Sequence, residues 1–177
     1  EIVVPDGCLL APRYPSAVVA GNVETSQHVT NALFAALGAL SSAQGTMNNL
    51  TFGDDVYQYY ETIASGAPAG VLNNGEGFDG VAAVQTHMTN TRLTDPEVLE
   101  MRFPVVVEDF HIRPKSGGPG KWRAGDGVER TIRFLRRMEC AILSSHRKIP
   151  PPGLLGAGPG KVGETVVRRR NGKVDLL

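Results

Sequence analysis

The stretch VVVEDFHIRPKSGGPGKWRAGDGVERTIRFL, residues 105–135, carries the pattern that decides the fold class. Val105–Ile112 and Val128–Leu135 are rich in β-branched and aromatic residues, which suit a pleated, half-buried surface. Between them, Ser116–Gly127 holds too many glycines to continue either strand and reads as a hinge. Downstream, Glu139–Leu143 is a further strand. Thr165–Arg170 and Lys173–Leu177 flank Asn171-Gly172, the strongest short-range signal for a type I′ hairpin. Pro150–Gly153 and Gly156–Gly163 are loops.

Upstream of this sheet-forming region the pattern changes. Val29, Ala32, Leu33, Ala36, Leu37 and Leu40 recur at helical spacing, which predicts an amphipathic helix over about 23–40 with an apolar stripe along one face. Asn22 is the expected N-cap, and Glu24 in the first turn complements the helix dipole. Asp95-Pro96-Glu97 sets a second, short helix over about 96–103, with Asp as N-cap and Pro at the first helical position. Residues 2–4 and 9–10 read as short strands around Pro5-Asp6-Gly7, and Val56–Ile63 as a strand with tyrosines on alternate positions, a short helix being the alternative. Residues 43–55 read as an irregular hydrogen-bonding loop and 64–80 as a long loop of small residues. The expected fold is therefore α+β: strand-rich, with a long N-terminal helix, a short helix and a C-terminal β-hairpin. A sub-boundary is expected near 113–127.

Composition narrows the class. The 177 residues are 41% hydrophobic and 20% charged, a balance that excludes a disordered or collagenous chain. No apolar run approaches the roughly 20 residues of a membrane-spanning helix, so no membrane partner is expected. The net charge is zero, yet residues before Arg113 sum to −10 and those from Arg113 onward to +10. The basic half lacks the interleaved aromatics of an RNA-reading surface, so the halves are expected to neutralise each other or a neighbouring subunit, with no nucleic acid bound. Cys8 and Cys140 are too few for a disulfide framework, which fits a reducing, cytoplasmic compartment. The first and last residues fall in strand-like pattern, so the chain reads as a piece of a longer protein, truncated at both ends.

The motifs for nucleotides are incomplete. Gly75–Gly80 satisfies G-x-G-x-x-G, but Asn73-Asn74 stand where the preceding hydrophobic strand is required. Gly117–Trp122 lacks the glycine spacing and the Ser/Thr of a phosphate-binding loop. Two neutral polar stretches stand out instead: Ala43–Thr51 and Gln85–Thr91. Amide and hydroxyl clusters suit enclosed, hydrogen-bonded sites better than solvated loops. His87 within the second could act as a general base, a metal ligand or a structural residue. Backbone and side-chain amides of the first could stabilise an oxyanion or cap the helix end.

With GNVETSQ (21–27), SAQGTMNNLTFG (42–53), THMTNT (86–91), SGGPGKWRAGDGVERTIRF (116–134) and PPPGLLGAGPGKVG (150–163), the chain resembles the hydantoinase B/5-oxoprolinase family. On this resemblance residues 1–177 are the later part of a hydantoinase B-like domain, and NTRLTDPEVLE (90–100) looks most like the single-chain 5-oxoprolinases. The resemblance implies ATP-dependent opening of a cyclic amide: 5-oxo-L-proline to L-glutamate, or hydantoins to N-carbamoyl amino acids. It also implies a hydantoinase A-like domain or subunit that binds the ATP outside this chain, with a divalent metal such as Mg²⁺, and a homo-oligomer. A non-catalytic assembly module is the other reading.

The site expected on that basis is built by the 42–53 and 85–92 loops. His87 would activate water, with Thr89 and Asn90 beside it. Thr46, Asn48, Asn49 and Arg92 would hold the oxygens of the lactam substrate. Gln85 stands where the family often carries a second histidine, which removes a two-histidine metal site from the expectation.

Overall fold

In the computed structural model, residues 1–18, 21–87 and 91–177 are described. Thr89 and Asn90 lie outside them. The two strands read from residues 105–135 pair with each other: β5 (Val105–Ile112) and β6 (Val128–Phe134) run antiparallel, from Val105 opposite Phe134 to Ile112 opposite Val128. A bulge between Val107 and Asp109 bends the ribbon. The hinge that joins them is laced rather than loose. Arg113 N donates to Gly127 O at 2.8 Å, and Gly127 N to Ser116 Oγ at 2.8 Å. Asp126 accepts from the N–H groups of Gly117 (2.8 Å) and Lys115 (3.1 Å).

The second sheet has β1 (Asn49–Gly53) at its centre, between β2 (Gln58–Thr62) and β7 (Glu139–Leu143), all antiparallel. Residues directly opposite share a face, so Leu50 and Phe52 of β1 lie on the side of Glu61 and Tyr59 of β2. That side carries the core. Phe52, Leu99 and Val105 are buried there, with Leu50, Tyr59, Phe103, Val107, Ile132 and Met138 packed around them. The Phe52 ring meets Tyr59 at 4.9 Å and Phe134 edge-on at 5.3 Å between centroids, geometries that suit the aromatic quadrupole.

Leu99 comes from α2 (Pro96–Arg102). Asp95 caps that helix by accepting from Glu97 N at 2.9 Å, and Pro96 fills the first helical position, as its sequence predicts. It stops at Phe103, which is extended because Pro104 follows. Two small ribbons complete the fold: β3 (Gly70–Val71) with β4 (Gly77–Phe78), and β8 (Val166–Arg168) with β9 (Val174–Leu176). The observed class is the expected one, strand-rich α+β.

Several local expectations are corrected. Residues 2–4 and 9–10 form no strand. Asn49–Gly53, expected within a loop, is the central strand of its sheet. The hairpin at Asn171-Gly172 is not type I′: Gly172 is left-handed at φ 84°, but Asn171 is not. Gly172 N donates to Arg169 O at 2.9 Å and Arg169 N to Lys173 O at 2.7 Å. The loop is thus a type I turn closed by a glycine bulge, the next commonest solution.

The long helix, α1, spans Asn22–Ala36 rather than continuing to residue 40, and its N-cap is Gly21 rather than Asn22. Gly38 ends it. At φ 66° its N–H reaches Ala35 O (3.0 Å), and Ala39 N reaches Phe34 O (2.9 Å). These two bonds are the Schellman arrangement, which needs a residue without a Cβ penalty in the left-handed position.

The apolar stripe of α1 is turned outward, where such a stripe ordinarily faces a core. Val29, Leu33 and Leu37 are exposed, whereas Gln27 and Asn31 are the buried residues of α1. Leu9 and Leu10 approach the first half of the stripe, forming with Val29 and Ala32 a groove of about 370 Å³. The reason for the inversion is hydrogen bonding by the polar face.

Candidate functional site

Glu24, Gln27 and Asn31 recur at i, i+3 and i+7, so they stand one above another on α1. Against this polar stripe lies the 42–48 segment. Thr46, with no exposed surface, donates its Oγ1 to Glu24 Oε1 at 2.8 Å. Asn31 makes a reciprocal pair with Ala43: Ala43 N donates to Asn31 Oδ1 at 3.1 Å, and Asn31 Nδ2 donates to Ala43 O at 3.3 Å. A helix side chain that satisfies both backbone groups of one residue fixes the segment's distance and register.

The 42–48 segment is braced from three further directions. Gln44 Nε2 donates to Thr46 O and, at 3.0 Å, to Gln85 Oε1. Ser145 Oγ donates to Gln44 O at 2.6 Å. Asn48, in left-handed conformation at φ 46°, donates its Nδ2 to Ile63 O (3.1 Å) and Gln44 Oε1 (3.3 Å). Gly45, at φ 71°, lies under the His28 ring, which a Cβ there would meet at 2.5 Å. The neutral polar character of both stretches is thus used in one continuous network.

His87 sits at its rim. Its Nε2 is 2.9 Å from Asn31 Oδ1, and its ring stacks on Phe34 at 5.5 Å with an interplanar angle of 20°. Burial against that helix face lowers its pKa, because taking the imidazolium out of water is unfavourable. The residue remains exposed enough to meet solvent. Its backbone is left-handed at φ 70°, a conformation that costs a non-glycine residue on the order of 1 kcal/mol or more. Its neighbour Gln85 is buried, bonded to Gln44 and, through Nε2, to Met47 O at 3.4 Å.

The structure brings the expected residues together unevenly. His87, Asn48 and Thr46 belong to the same network, although Thr46 and Asn48 are bonded to protein groups. Asn49 does not join them. As the first residue of β1 it points to the opposite face from the core and accepts from Tyr60 OH at 2.8 Å. Arg92 is exposed, and no hydrogen bond or ion pair among the described residues involves it. Gln44 lies within the first polar stretch read from the sequence, a reading that missed Gln27 and Asn31 on α1. Their signal was present: a polar stripe at helical spacing opposite the apolar one. Gln27 is 1% exposed, and neither of its side-chain amide atoms has a partner among the described residues.

Neither glycine-rich motif offers a nucleotide a cradle. A Cβ at Gly77 would overlap the Trp122 indole, one at Gly80 the Ala67 carbonyl, and one at Gly117 the Ala124 carbonyl. These glycines permit close approach of the protein to itself, and the space a phosphate would need is filled. Among the described residues no three His, Cys, Asp or Glu side chains converge to hold a metal ion. Neither glycine motif, nor any cluster of three such ligands among the described residues, offers ATP or Mg²⁺ a built site.

Fold and site together define an α+β chain with a neutral, amide- and hydroxyl-lined network and one histidine at its edge. The chain belongs to the hydantoinase B/oxoprolinase family, whose model matches residues 1–176. It is 50% identical over 171 residues to a 5-oxoprolinase of Dictyostelium discoideum, covering 97% of this chain and 13% of that protein. It is 48% identical over 160 residues to 5-oxoprolinase 1 of Arabidopsis thaliana, covering 90% of this chain and 12% of that one. The chain thus spans about an eighth of the length of these relatives. The fold is similar to that of acetone carboxylase in a nucleotide-free structure, with a TM-score of 0.52 and 23% identity over 72% of this chain and 17% of that one.

Proposed function

We propose that this chain is a segment of an ATP-dependent cyclic-amide hydrolase that opens 5-oxo-L-proline to L-glutamate. The observation that carries the reading is His87, held by Asn31 at the rim of the neutral polar network with its pKa lowered. The name shared by the similar proteins of Dictyostelium and Arabidopsis supports the choice of substrate.

A five-membered lactam has a stabilised amide bond, and ATP supplies the activation that makes its carbonyl carbon electrophilic. The nucleotide, with Mg²⁺, is held by a hydantoinase A-like part of the same enzyme. In this segment a neutral His87 takes one proton from water as the oxygen bonds to the carbonyl carbon. The amide C–N bond then breaks, and the ring nitrogen leaves with that proton. Ring opening takes up one water, turnover of ATP to ADP and phosphate in the part that holds the nucleotide takes up a second, and the imidazole ends as it began. Asn90 and Thr89 stand beside His87 in sequence to orient the lactam, and Arg92 is the partner for its carboxylate. Thr46 and Asn48 shape the site from behind through their bonds to Glu24, Ile63 and Gln44. The parent enzyme is a cytoplasmic homo-oligomer on this reading.

His87→Ala in the full-length protein tests the proposal. ATP-dependent glutamate formation from 5-oxoproline is expected to fall by about 100-fold or more, in the range for losing a positioned acid–base group. Near-normal turnover would overturn it. Activity on hydantoins in place of 5-oxoproline would move the substrate to the other branch of the family.

A further inference from the structure

Asn31 carries information about which nitrogen of His87 does the work. The orientation of an Asn amide is ordinarily ambiguous, since its oxygen and nitrogen look alike. Here the Ala43 backbone removes the ambiguity. The N–H of Ala43 can only donate, so the atom facing it at 3.1 Å must be the amide oxygen. Its carbonyl can only accept, so the atom 3.3 Å away must be the amide nitrogen. That same oxygen lies 2.9 Å from His87 Nε2. A carbonyl oxygen has two lone pairs and no proton, so Nε2 must be the protonated nitrogen.

We propose that Asn31 is a positioning residue that holds neutral His87 as its Nε2–H tautomer and leaves Nδ1 as the basic atom. The inference rests on the proposed role of His87, and it adds which atom acts and what orients it. Stacking on Phe34 fixes the ring plane, while the bond to Asn31 fixes rotation within that plane. Asn31, which bonds the ring, and Phe34, which stacks on it, are both neutral. Among the described residues no charged group contributes to the lowered pKa, whose cause is burial alone. A neutral orienting partner has a consequence that a carboxylate would not. It keeps the tautomer without raising the pKa, so His87 remains unprotonated further into acid than an ordinary imidazole near 6.5.

Two measurements on the full-length enzyme test this. Iodoacetamide alkylates the unprotonated nitrogen of a neutral imidazole. In the wild-type protein His87 is expected to give the Nδ1-alkylated isomer, identified in its peptide by mass spectrometry against both standards. The Nε2 isomer as main product would overturn the tautomer. The second measurement compares Asn31→Asp and Asn31→Ala with wild type. It follows the titration midpoint of His87, by exchange of its ring C2 hydrogen, beside the pH profile of kcat/KM. Asn31→Asp places a carboxylate against Nε2–H, so midpoint and acid limb should rise together by about one unit or more. Asn31→Ala should lower kcat by about tenfold with little change in midpoint or KM. A midpoint in Asn31→Asp within 0.2 units of wild type, roughly the resolution such shifts need, would refute the contact, and His87→Ala would then judge the catalytic role separately. A midpoint that moves while the acid limb stays fixed would leave the contact standing and overturn the role of His87 as base.

Discussion

Arg130→Met should open the sheet that carries the site. The Arg130 guanidinium and the Glu61 carboxylate are each 3% exposed and meet in a two-pronged pair, Nε to Oε1 at 2.7 Å and Nη2 to Oε2 at 3.1 Å. Tyr59 OH also faces Glu61 Oε2 at 3.0 Å, and Phe110 lies under the guanidinium at 5.2 Å. Removing the arginine leaves a buried carboxylate with one neutral donor. Breaking one side of a buried pair costs roughly 3–5 kcal/mol, and the surviving tyrosine bond places this case near the lower end, about 3 kcal/mol. The loss is local in origin but reaches the site, because β2 ends at Thr62 and Ile63 O then receives Asn48 Nδ2. Hydrogen exchange by mass spectrometry on the full-length enzyme reads the effect. Amides of residues 58–63 and 128–134 should exchange about 100-fold faster, 3 kcal/mol at 1.4 kcal/mol per tenfold. The double variant Glu61→Leu/Arg130→Met should recover most of that loss, since it buries no charge. Exchange in Arg130→Met within twofold of wild type would refute the argument, as would additive losses in the double variant.

Two glycines with opposite surroundings should respond differently to alanine. Gly38→Ala meets no atom within 4 Å and bears only the left-handed backbone penalty, so α1 should fray by roughly 1–2 kcal/mol, seen as faster exchange of its last turn. Gly66→Ala drives a Cβ into the backbone carbonyl of Gly125, and the yield of soluble enzyme should collapse. Gln27→Met removes, at similar volume, two buried polar atoms that have no partner among the described residues. Stability should hold or rise by about 1 kcal/mol, and a clear fall in melting temperature would show that the amide is satisfied after all. Burial alone would raise the Asp126 carboxyl, but hydrogen bonds from Gly117 and Lys115 and the Arg123 guanidinium hold it below the usual range. A depressed carboxylate contributes stability above its unfolded pKa and loses it as pH falls through the folded one. Opening of residues 115–127, measured by exchange corrected for intrinsic rate, should therefore rise in acid, and Asp126→Asn should abolish that pH dependence.

Elements whose signals are local were legible. The Asp95 cap, Pro96 and Pro104 bound α2 by themselves, and β-branched runs marked β5 and β6 at nearly their observed limits. β1 was not legible. Its Asn-Leu-Thr-Phe-Gly offers two apolar residues, and it becomes a strand because β2 and β7 satisfy both its edges. The converse holds for residues 2–4 and 9–10, where strand-forming side chains meet no partner strand among the described residues. Pairing over long sequence separation decides such cases, and no local pattern records it.

The candidate site was half legible, for a reason that concerns how a helix is read. Hydrophobic periodicity assigns the inward face on the assumption that the core lies within the chain at hand. On α1 that rule selects Val29, Leu33 and Leu37, and all three are exposed. On the opposite, inward stripe the bonds of Asn31 and Glu24 are specific, while Gln27 between them has no partner among the described residues. Asn31 satisfies both backbone groups of Ala43 and the Nε2–H of His87, and Glu24 accepts from fully buried Thr46. Burying such groups is unfavourable unless each finds its partner, and a sequence shows only the groups. The two neutral polar loops were recognisable because their composition is unusual. Asn31 was not, since one amide on a helix is unremarkable until the backbone it holds is known. The residue that orients the proposed base is therefore visible only in three dimensions, although the i, i+3, i+7 spacing of Glu24, Gln27 and Asn31 marks the face on which to look for it.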